Sequence, residues 1–166
     1  MFFLNKIKQA AALAAVCVFA AVAVGCNNAA TGPGVQSSSL IKDIYSDYFT
    51  VGAAIQSRTI EKYSELLPNF NSITAEVEMK WSKLESRQGE YDYSGADALT
   101  AWARENDTLV RGHCLVWYKS LPSWVLAEGT TAQQALSRID EHVKQTMKHF
   151  GNDVYCWDVV NEALKD

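Results

Sequence analysis

Beyond about residue 40, short apolar runs alternate with longer segments in which apolar residues recur at helical spacing. The apolar runs predict buried β-strands at Tyr48–Ile55, Asn71–Val77, Thr108–Trp117 and Asp153–Ala163. The intervening segments predict helices at Thr59–Leu67, Gly95–Asn106 and about Thr131–Phe150. Strands that are joined through helices are typical of a parallel sheet with helices packed outside it.

The longest predicted helix has the clearest pattern. Its apolar residues are three or four positions apart, and Gly151 suits its C-terminal end. The predicted apolar stripe consists of Leu136, Ile139, Val143, Met147 and Phe150. We therefore predict an α/β fold of four βα units or slightly fewer. A self-contained four-stranded sheet is one alternative, and a truncated larger fold is favoured by the end of the chain directly after a strand.

The first 25 residues have the pattern of an export signal. Lys6 and Lys8 precede a fifteen-residue apolar run from Ala10 to Val24, which is shorter than the roughly 20 residues of a spanning helix. The run ends in Ala-Val-Gly before Cys26 and resembles a bacterial lipoprotein signal, in which this cysteine carries the lipid. We expect an exported lipoprotein that is membrane-anchored at the cell surface or in the periplasm. The alternative is ordinary cleavage and secretion.

Composition places a folded domain after a short linker. Residues 26–39 are rich in Asn, Ala, Gly and Ser and predict a flexible linker, so the domain comprises residues 40–166. With 48% apolar and 20% charged residues, the chain is typical of a globular protein. The net charge of −4, or −6 without the signal lysines, disfavours nucleic-acid binding. Cys114 and Cys156 lie in apolar strands, and two free thiols are favoured over a disulfide.

Polar and aromatic residues gather where the predicted strands end. In parallel α/β folds these ends line the active site. Carboxylates and amides bind hydroxyl groups and indoles stack on sugar rings, so this set predicts a carbohydrate ligand. No glycine-rich loop suits phosphate, and the histidines lack metal-ligand spacing, so no metal or other cofactor is implied. The strand-end residues are Glu76, Lys80, Trp81, His113, Trp117, Asn161 and Glu162.

Three of these segments resemble a known enzyme family. FNSITAEVEMKW (residues 70–81), RGHCLVWYKSLPSWV (111–125) and WDVVNEA (157–163) are similar to the family 10 glycoside hydrolases. These are endo-1,4-β-xylanases built on a (β/α)₈ TIM barrel, and the resemblance runs from about Tyr48 to the last residue. It implies that the chain holds about the first four βα units of the barrel, with xylan or xylo-oligosaccharides as substrate.

The resemblance also implies catalytic roles. Glu162 matches the general acid/base of a retaining mechanism, and Asn161 matches the residue that binds the 2-hydroxyl of the cleaved sugar. The family's nucleophile is a glutamate at the end of strand seven, and no residue of this chain matches it. We therefore expect the chain by itself to be inactive.

Further matches concern sugar binding. Glu76 and Lys80 match residues that bind sugar on the non-reducing side of the cleaved bond, and His113 and Trp117 match residues beside the cleaved sugar. Three positions depart from the family pattern, which more often has Asn, His and Gln there: Val77, Tyr118 and Ser120. The remaining acids near the motifs are assigned to structure or solvent: Glu78, Glu85, Glu90, Asp92 and Asp158.

Two other functions are alternatives at this point. A non-catalytic sugar-binding surface lipoprotein would use the same strand ends, although it has no need of the Asn161-Glu162 pair. A related β-1,4-glucanase would share the chemistry and differ in the width of the sugar pocket.

Overall fold

Four parallel strands form one sheet in a computed structural model that describes residues 39–164. The strands are β1 (Gly52–Ile55), β2 (Ser72–Ala75), β3 (Leu109–Trp117) and β4 (Cys156–Asn161), and they lie in the sheet in chain order. The helices are α1 (Ile41–Ile44), α2 (Trp81–Leu84), α3 (Ser94–Glu105) and α4 (Ala132–Phe150). The predicted signal peptide at 1–25, Cys26 and nearly all of the predicted linker lie outside the described residues. Within residues 39–164, no helix has the length and apolar character needed to cross a membrane.

The register of the sheet brings the C-terminal ends of the strands to one edge. Ser72 of β2 pairs with Gly52 on one side and with Leu109 on the other. Strand β3 pairs with β4 from Arg111 opposite Cys156 to Trp117 opposite Asn161. The register shifts between His113 and Val116, and the peptide bond between His113 and Cys114 is cis.

All four predicted strands are present, and each is shorter than its apolar run. The predicted helix at Thr59–Leu67 is wrong, because 3₁₀ turns at Ser57–Thr59, Glu61–Tyr63 and Leu67–Asn69 occupy this connection. Its amides bond to carbonyls three residues back, as in Tyr63 to Ile60. So short a segment, ended by Pro68, does not sustain a longer α-helix. The one-turn helix α2 was not predicted.

The core lies between the sheet and α3. Ile73 and Ala75 of β2 are fully buried, and so is Leu99 of α3. Helical spacing predicts Ala96, Leu99, Trp102 and Ala103 on one face of α3; Ala96, Leu99 and Ala103 are buried, whereas Trp102 is half-buried against the same cluster. Apolar side chains of the sheet and of α3 therefore form one continuous cluster with Phe150 of α4.

Helix α4 begins and ends as predicted but packs on a different face. Its capping box joins Thr131 and Gln134, and Gly151 follows its last residue with a φ of 49°. The buried residues of α4 are His142, Thr146 and Phe150, whereas Leu136 is 61% and Met147 42% exposed. The predicted apolar stripe is therefore wrong in part. His142 stacks on the buried Trp81 ring at 4.2 Å between centroids, so an aromatic contact helps to set the rotation of the helix.

The two cysteines of the domain are free thiols, as predicted, although their strands are neighbours. Cys114 is buried and Cys156 is half-buried. Burial raises the pKa of the Cys114 thiol, which keeps it protonated.

Candidate active site

The ends of β3 and β4 form one wall of an open cleft of about 1180 Å³. Trp117 ends β3 and pairs with Asn161, the last residue of β4, so that Glu162 begins the loop beside it. Tyr118, Lys119, Asn161 and Glu162 line the cleft together with apolar residues of β3 and β4. Residues 40 or more positions apart in the sequence therefore meet at one edge of the sheet.

The Glu162 carboxylate has two fixed hydrogen-bond donors. Its Oε2 accepts from Trp117 Nε1 at 3.0 Å and from Lys119 Nζ at 2.9 Å. The Lys119 ammonium, and then the indole N–H, lower the pKa of Glu162. Its backbone has a φ of 52°, in the left-handed region that non-glycine residues seldom occupy. Strain of this kind is often found at functional sites.

Two lysines from different strand ends approach the Trp117 indole. The Nζ atom of Lys80, which follows β2, lies 4.8 Å from the ring centroid, and that of Lys119 lies at 5.5 Å. Cation–π attraction of this kind holds an ammonium group over the ring face. Lys80 is therefore brought to the Trp117 indole, whose N–H donates to Glu162.

His113 is oriented by a carboxylate that sequence reasoning assigned to structure or solvent. Asp158 Oδ2 lies 2.9 Å from His113 Nδ1, and the same carboxylate forms an ion pair with Arg111. The Arg111 guanidinium, more than the His113 contact, lowers the pKa of Asp158 and keeps it ionised. Arg111 and Asp158 carry opposite charges on two predicted strands, which could have indicated that they pair. The sequence does not reveal the register that places them together.

Glu76 lies at the end of β2 and is exposed. Its Oε2 accepts a hydrogen bond from Gln56 Nε2 at 3.0 Å, and Gln56 Oε1 accepts from Arg58 Nε at 2.7 Å. Neither Gln56 nor Arg58 was singled out in the sequence. Glu76 and Glu162 follow β2 and β4, and β3 lies between these strands in the sheet.

Some strand-end residues support the fold and do not face the cleft. Glu78 accepts from the amide and hydroxyl of Ser57 at 2.7 and 2.9 Å. Ser120 is buried, and its hydroxyl is 2.8 Å from that of Ser82, whereas the neighbouring Tyr118 is exposed and lines the cleft. Of the three departures from the family pattern, Tyr118 is therefore a cleft residue and Ser120 a packing residue. Among residues 39–164 no group of three His, Cys, Asp or Glu side chains is placed to bind a metal.

Carboxylates, an amide, ammonium groups and an indole lie at adjacent parallel strand ends, and groups of these types are suited to binding a carbohydrate. The profile described as "Glycosyl hydrolase family 10" matches residues 40–166. The chain belongs to glycosyl hydrolase family 10. Its four parallel strands correspond to the N-terminal half of a (β/α)₈ barrel, which confirms the predicted fold class.

Similar proteins are described as xylanases. A β-1,4-xylanase of Dictyoglomus thermophilum is 44% identical over 134 residues, which is 80% of this chain and 37% of the relative. Endo-1,4-β-xylanase B of Paenibacillus barcinonensis is 36% identical over 74% of this chain and 38% of its own length. The structure of a Thermobacillus composti GH10 xylanase has a TM-score of 0.73 at 36% identity, covering 77% of this chain and 41% of that chain. The chain thus spans about two fifths of the relatives that it matches.

Proposed function

We propose that this chain supplies the acid/base half of an enzyme that cleaves internal β-1,4-xylosidic bonds in xylan. The observation that carries the proposal is the position of Glu162. It follows a strand end beside an open cleft in a family 10 domain, with its carboxylate held by Trp117 and Lys119. Relatives described as endo-1,4-β-xylanases support the choice of substrate.

The proposed mechanism is a double displacement with retention. In the first step a nucleophilic carboxylate attacks the anomeric carbon, while protonated Glu162 gives its proton to the departing glycosidic oxygen. In the second step ionised Glu162 takes a proton from water, and the water oxygen displaces the nucleophile from the same carbon. The two carboxyl groups of such a site are roughly 5–5.5 Å apart.

In this scheme the nucleophile is a glutamate from strand seven of the whole barrel. In this proposal Glu76 binds sugar and does not serve instead, because it follows β2, which β3 separates from the strand that Glu162 follows. We therefore expect the 166 residues alone to bind sugar without hydrolysing it.

The other strand-end residues bind and orient the sugar in this proposal. Asn161 donates to the 2-hydroxyl of the cleaved sugar, a bond that strengthens as the oxocarbenium-like transition state forms. Glu76 accepts from ring hydroxyls and Lys80 donates to them on the non-reducing side. The ring of His113, oriented by Asp158, contacts the cleaved sugar beside Trp117.

The test uses the polypeptide that the gene encodes in full, with xylohexaose and cellohexaose as substrates. We expect internal cleavage of xylohexaose, much slower cleavage of cellohexaose, and a β-anomer as the first product seen by NMR. The 166-residue chain serves as the control and should release no product. Preferential cleavage of cellohexaose would favour the glucanase, an α-anomer would exclude retention, and binding without any cleavage would favour a sugar-binding lipoprotein.

We also propose that Cys26 carries a lipid that anchors the protein to a bacterial membrane. The support is the sequence alone, since this residue lies outside the described part of the chain. The wild-type protein should fractionate with membranes and carry an acylated N-terminal cysteine by mass spectrometry, whereas Cys26→Ser should be released. Equal release of both proteins would contradict the proposal.

A further inference from the structure

We propose that Lys119 is a positioning residue for Glu162, whose carboxylate it holds in place through a direct ion pair. The Nζ–Oε2 distance is 2.9 Å, and both side chains are about half exposed. The catalytic meaning of this contact depends on the function proposed above, whereas the ion pair itself does not.

The backbone brings the two groups together. Lys119 lies in the 3₁₀ turn Tyr118–Ser120 that follows β3, and Glu162 directly follows β4. Because Trp117 pairs with Asn161 in the sheet, the two segments leave the same edge side by side. The ion pair therefore follows from the register of the sheet as well as from the reach of a long side chain.

Aromatic rings restrict where the Lys119 ammonium can lie. Its Nζ is 5.5 Å from the Trp117 ring centroid and 5.3 Å from that of Tyr118. The same Trp117 donates to Glu162 Oε2 at 3.0 Å. Lysine, tryptophan and glutamate thus form a closed set of contacts, which restrains the carboxylate more than an isolated surface ion pair does.

Tyr118 is a further ionisable group that acts on Glu162, since after Lys119 and Trp117 its phenol also lowers the pKa of that carboxyl. The Tyr118 phenol belongs to the same turn as Lys119, and Lys80 lies near the Trp117 indole. The buried Cys114 thiol on β3 is close enough to Lys80, Asp158 and Glu162 for their charges to act on its pKa, after the larger effect of burial. Within residues 39–164, Lys119 is the charged side chain in direct contact with Glu162.

The contact has opposite effects on the two proposed steps. The ammonium lowers the pKa of Glu162, so it disfavours the protonated acid of the first step and favours the carboxylate base of the second. In the whole enzyme, activity should fall on the alkaline side as Glu162 loses its proton. With Lys119 present, the fall in activity at alkaline pH should therefore begin at a lower pH than with a neutral side chain at this position.

The direct test is a ¹³C NMR titration of the Glu162 carboxyl group in the 166-residue chain, with the signal assigned from Glu162→Gln. We expect Lys119→Gln to raise the pKa of Glu162 and Lys119→Arg, which keeps the charge, to leave it near the wild-type value. Lys144→Gln is the matched control, because it removes an equal charge from an exposed Lys144–Asp140 pair on α4. It should leave Glu162 unchanged.

A reciprocal titration follows Lys119 and requires no change at that residue. The Glu162 carboxylate raises the pKa of Lys119, so Glu162→Gln should lower it. If both titrations are insensitive to the partner's substitution, or if Lys144→Gln moves Glu162 as much as Lys119→Gln does, the proposal is wrong. Failure of the polypeptide that the gene encodes in full to hydrolyse xylan would refute the proposed function but would leave these two titration results unaffected.

Discussion

Gly112 gives the sharpest prediction about the scaffold of the site. It pairs with Trp157 across β3 and β4, and the indole lies against its α-carbon. A Cβ added at Gly112 would lie less than 3.0 Å from three indole carbons, Cε3, Cδ2 and Cζ3. Gly112→Ala must therefore displace either the ring or the strand. We expect a loss of stability and a disturbed hydrogen bond between His113 and Asp158, because these residues directly follow Gly112 and Trp157 in the chain.

The size of the stability loss in Gly112→Ala follows from the packing of Trp157. Trp157 is half-buried, packs against the core and lies 5.7 Å from Phe150 between ring centroids, so displacing the ring breaks these contacts. Overpacking of this kind costs about 1–3 kcal/mol. The 126 described residues give an unfolding entropy of about 0.26 kcal/mol/K, so this cost lowers Tm by roughly 4–11 °C.

The assay is thermal and urea unfolding followed by tryptophan fluorescence, in a double-mutant cycle with Trp157→Leu. Because leucine is smaller than the indole, Gly112→Ala should cost much less in the Trp157→Leu background than in the wild type. An equal cost in both backgrounds, or no cost in either, would refute the steric reasoning.

Two further predictions concern α4. Burial lowers the pKa of His142 to about 4, against an opposing contribution from the Leu115 backbone, and Glu85 lies 3.6 Å from its Nδ1. The unfolded chain therefore binds the extra proton between about pH 6.5 and pH 4, so stability should fall as pH decreases through this window, by at most about 3 kcal/mol because the Glu85 carboxylate favours the protonated imidazole. In His142→Gln, the unfolding free energy from urea titrations should depend less steeply on pH across the same range. An unchanged pH dependence would contradict the assignment to His142. Thr131→Ala removes the N-terminal cap of α4 and should lower the unfolding free energy by about 1 kcal/mol. Thr131→Ser should restore most of the loss, and full stability in the alanine variant would show that the cap contributes nothing.

The sequence predicted those features that depend on short stretches of chain. Apolar runs located the four strands, and α3 and the ends of α4 followed from helical spacing and from Gly151. Because the sheet is parallel, strand ends such as Lys80, Trp117 and Glu162 could be expected at one edge. Their contacts at that edge agree with this expectation.

Features that depend on register or on packing between elements could not be predicted. Asp158 supports His113 only because the register places these residues opposite each other. Similarly, Lys119 reaches Glu162 only because β3 and β4 end side by side. The buried face of α4 depends on the stacking of His142 against Trp81, which helical periodicity does not reveal.

The most direct test of the central claim asks whether Glu162 is the general acid/base. In the full gene product, Glu162→Ala should lower the rate on xylan by roughly 10²–10⁴, the usual contribution of such a group. It should spare formation of the glycosyl-enzyme from an aryl xyloside whose leaving group needs no proton. Azide should then restore turnover and yield a β-xylosyl azide. Equal losses on both substrates with no azide rescue, or full activity on xylan, would contradict this role of Glu162.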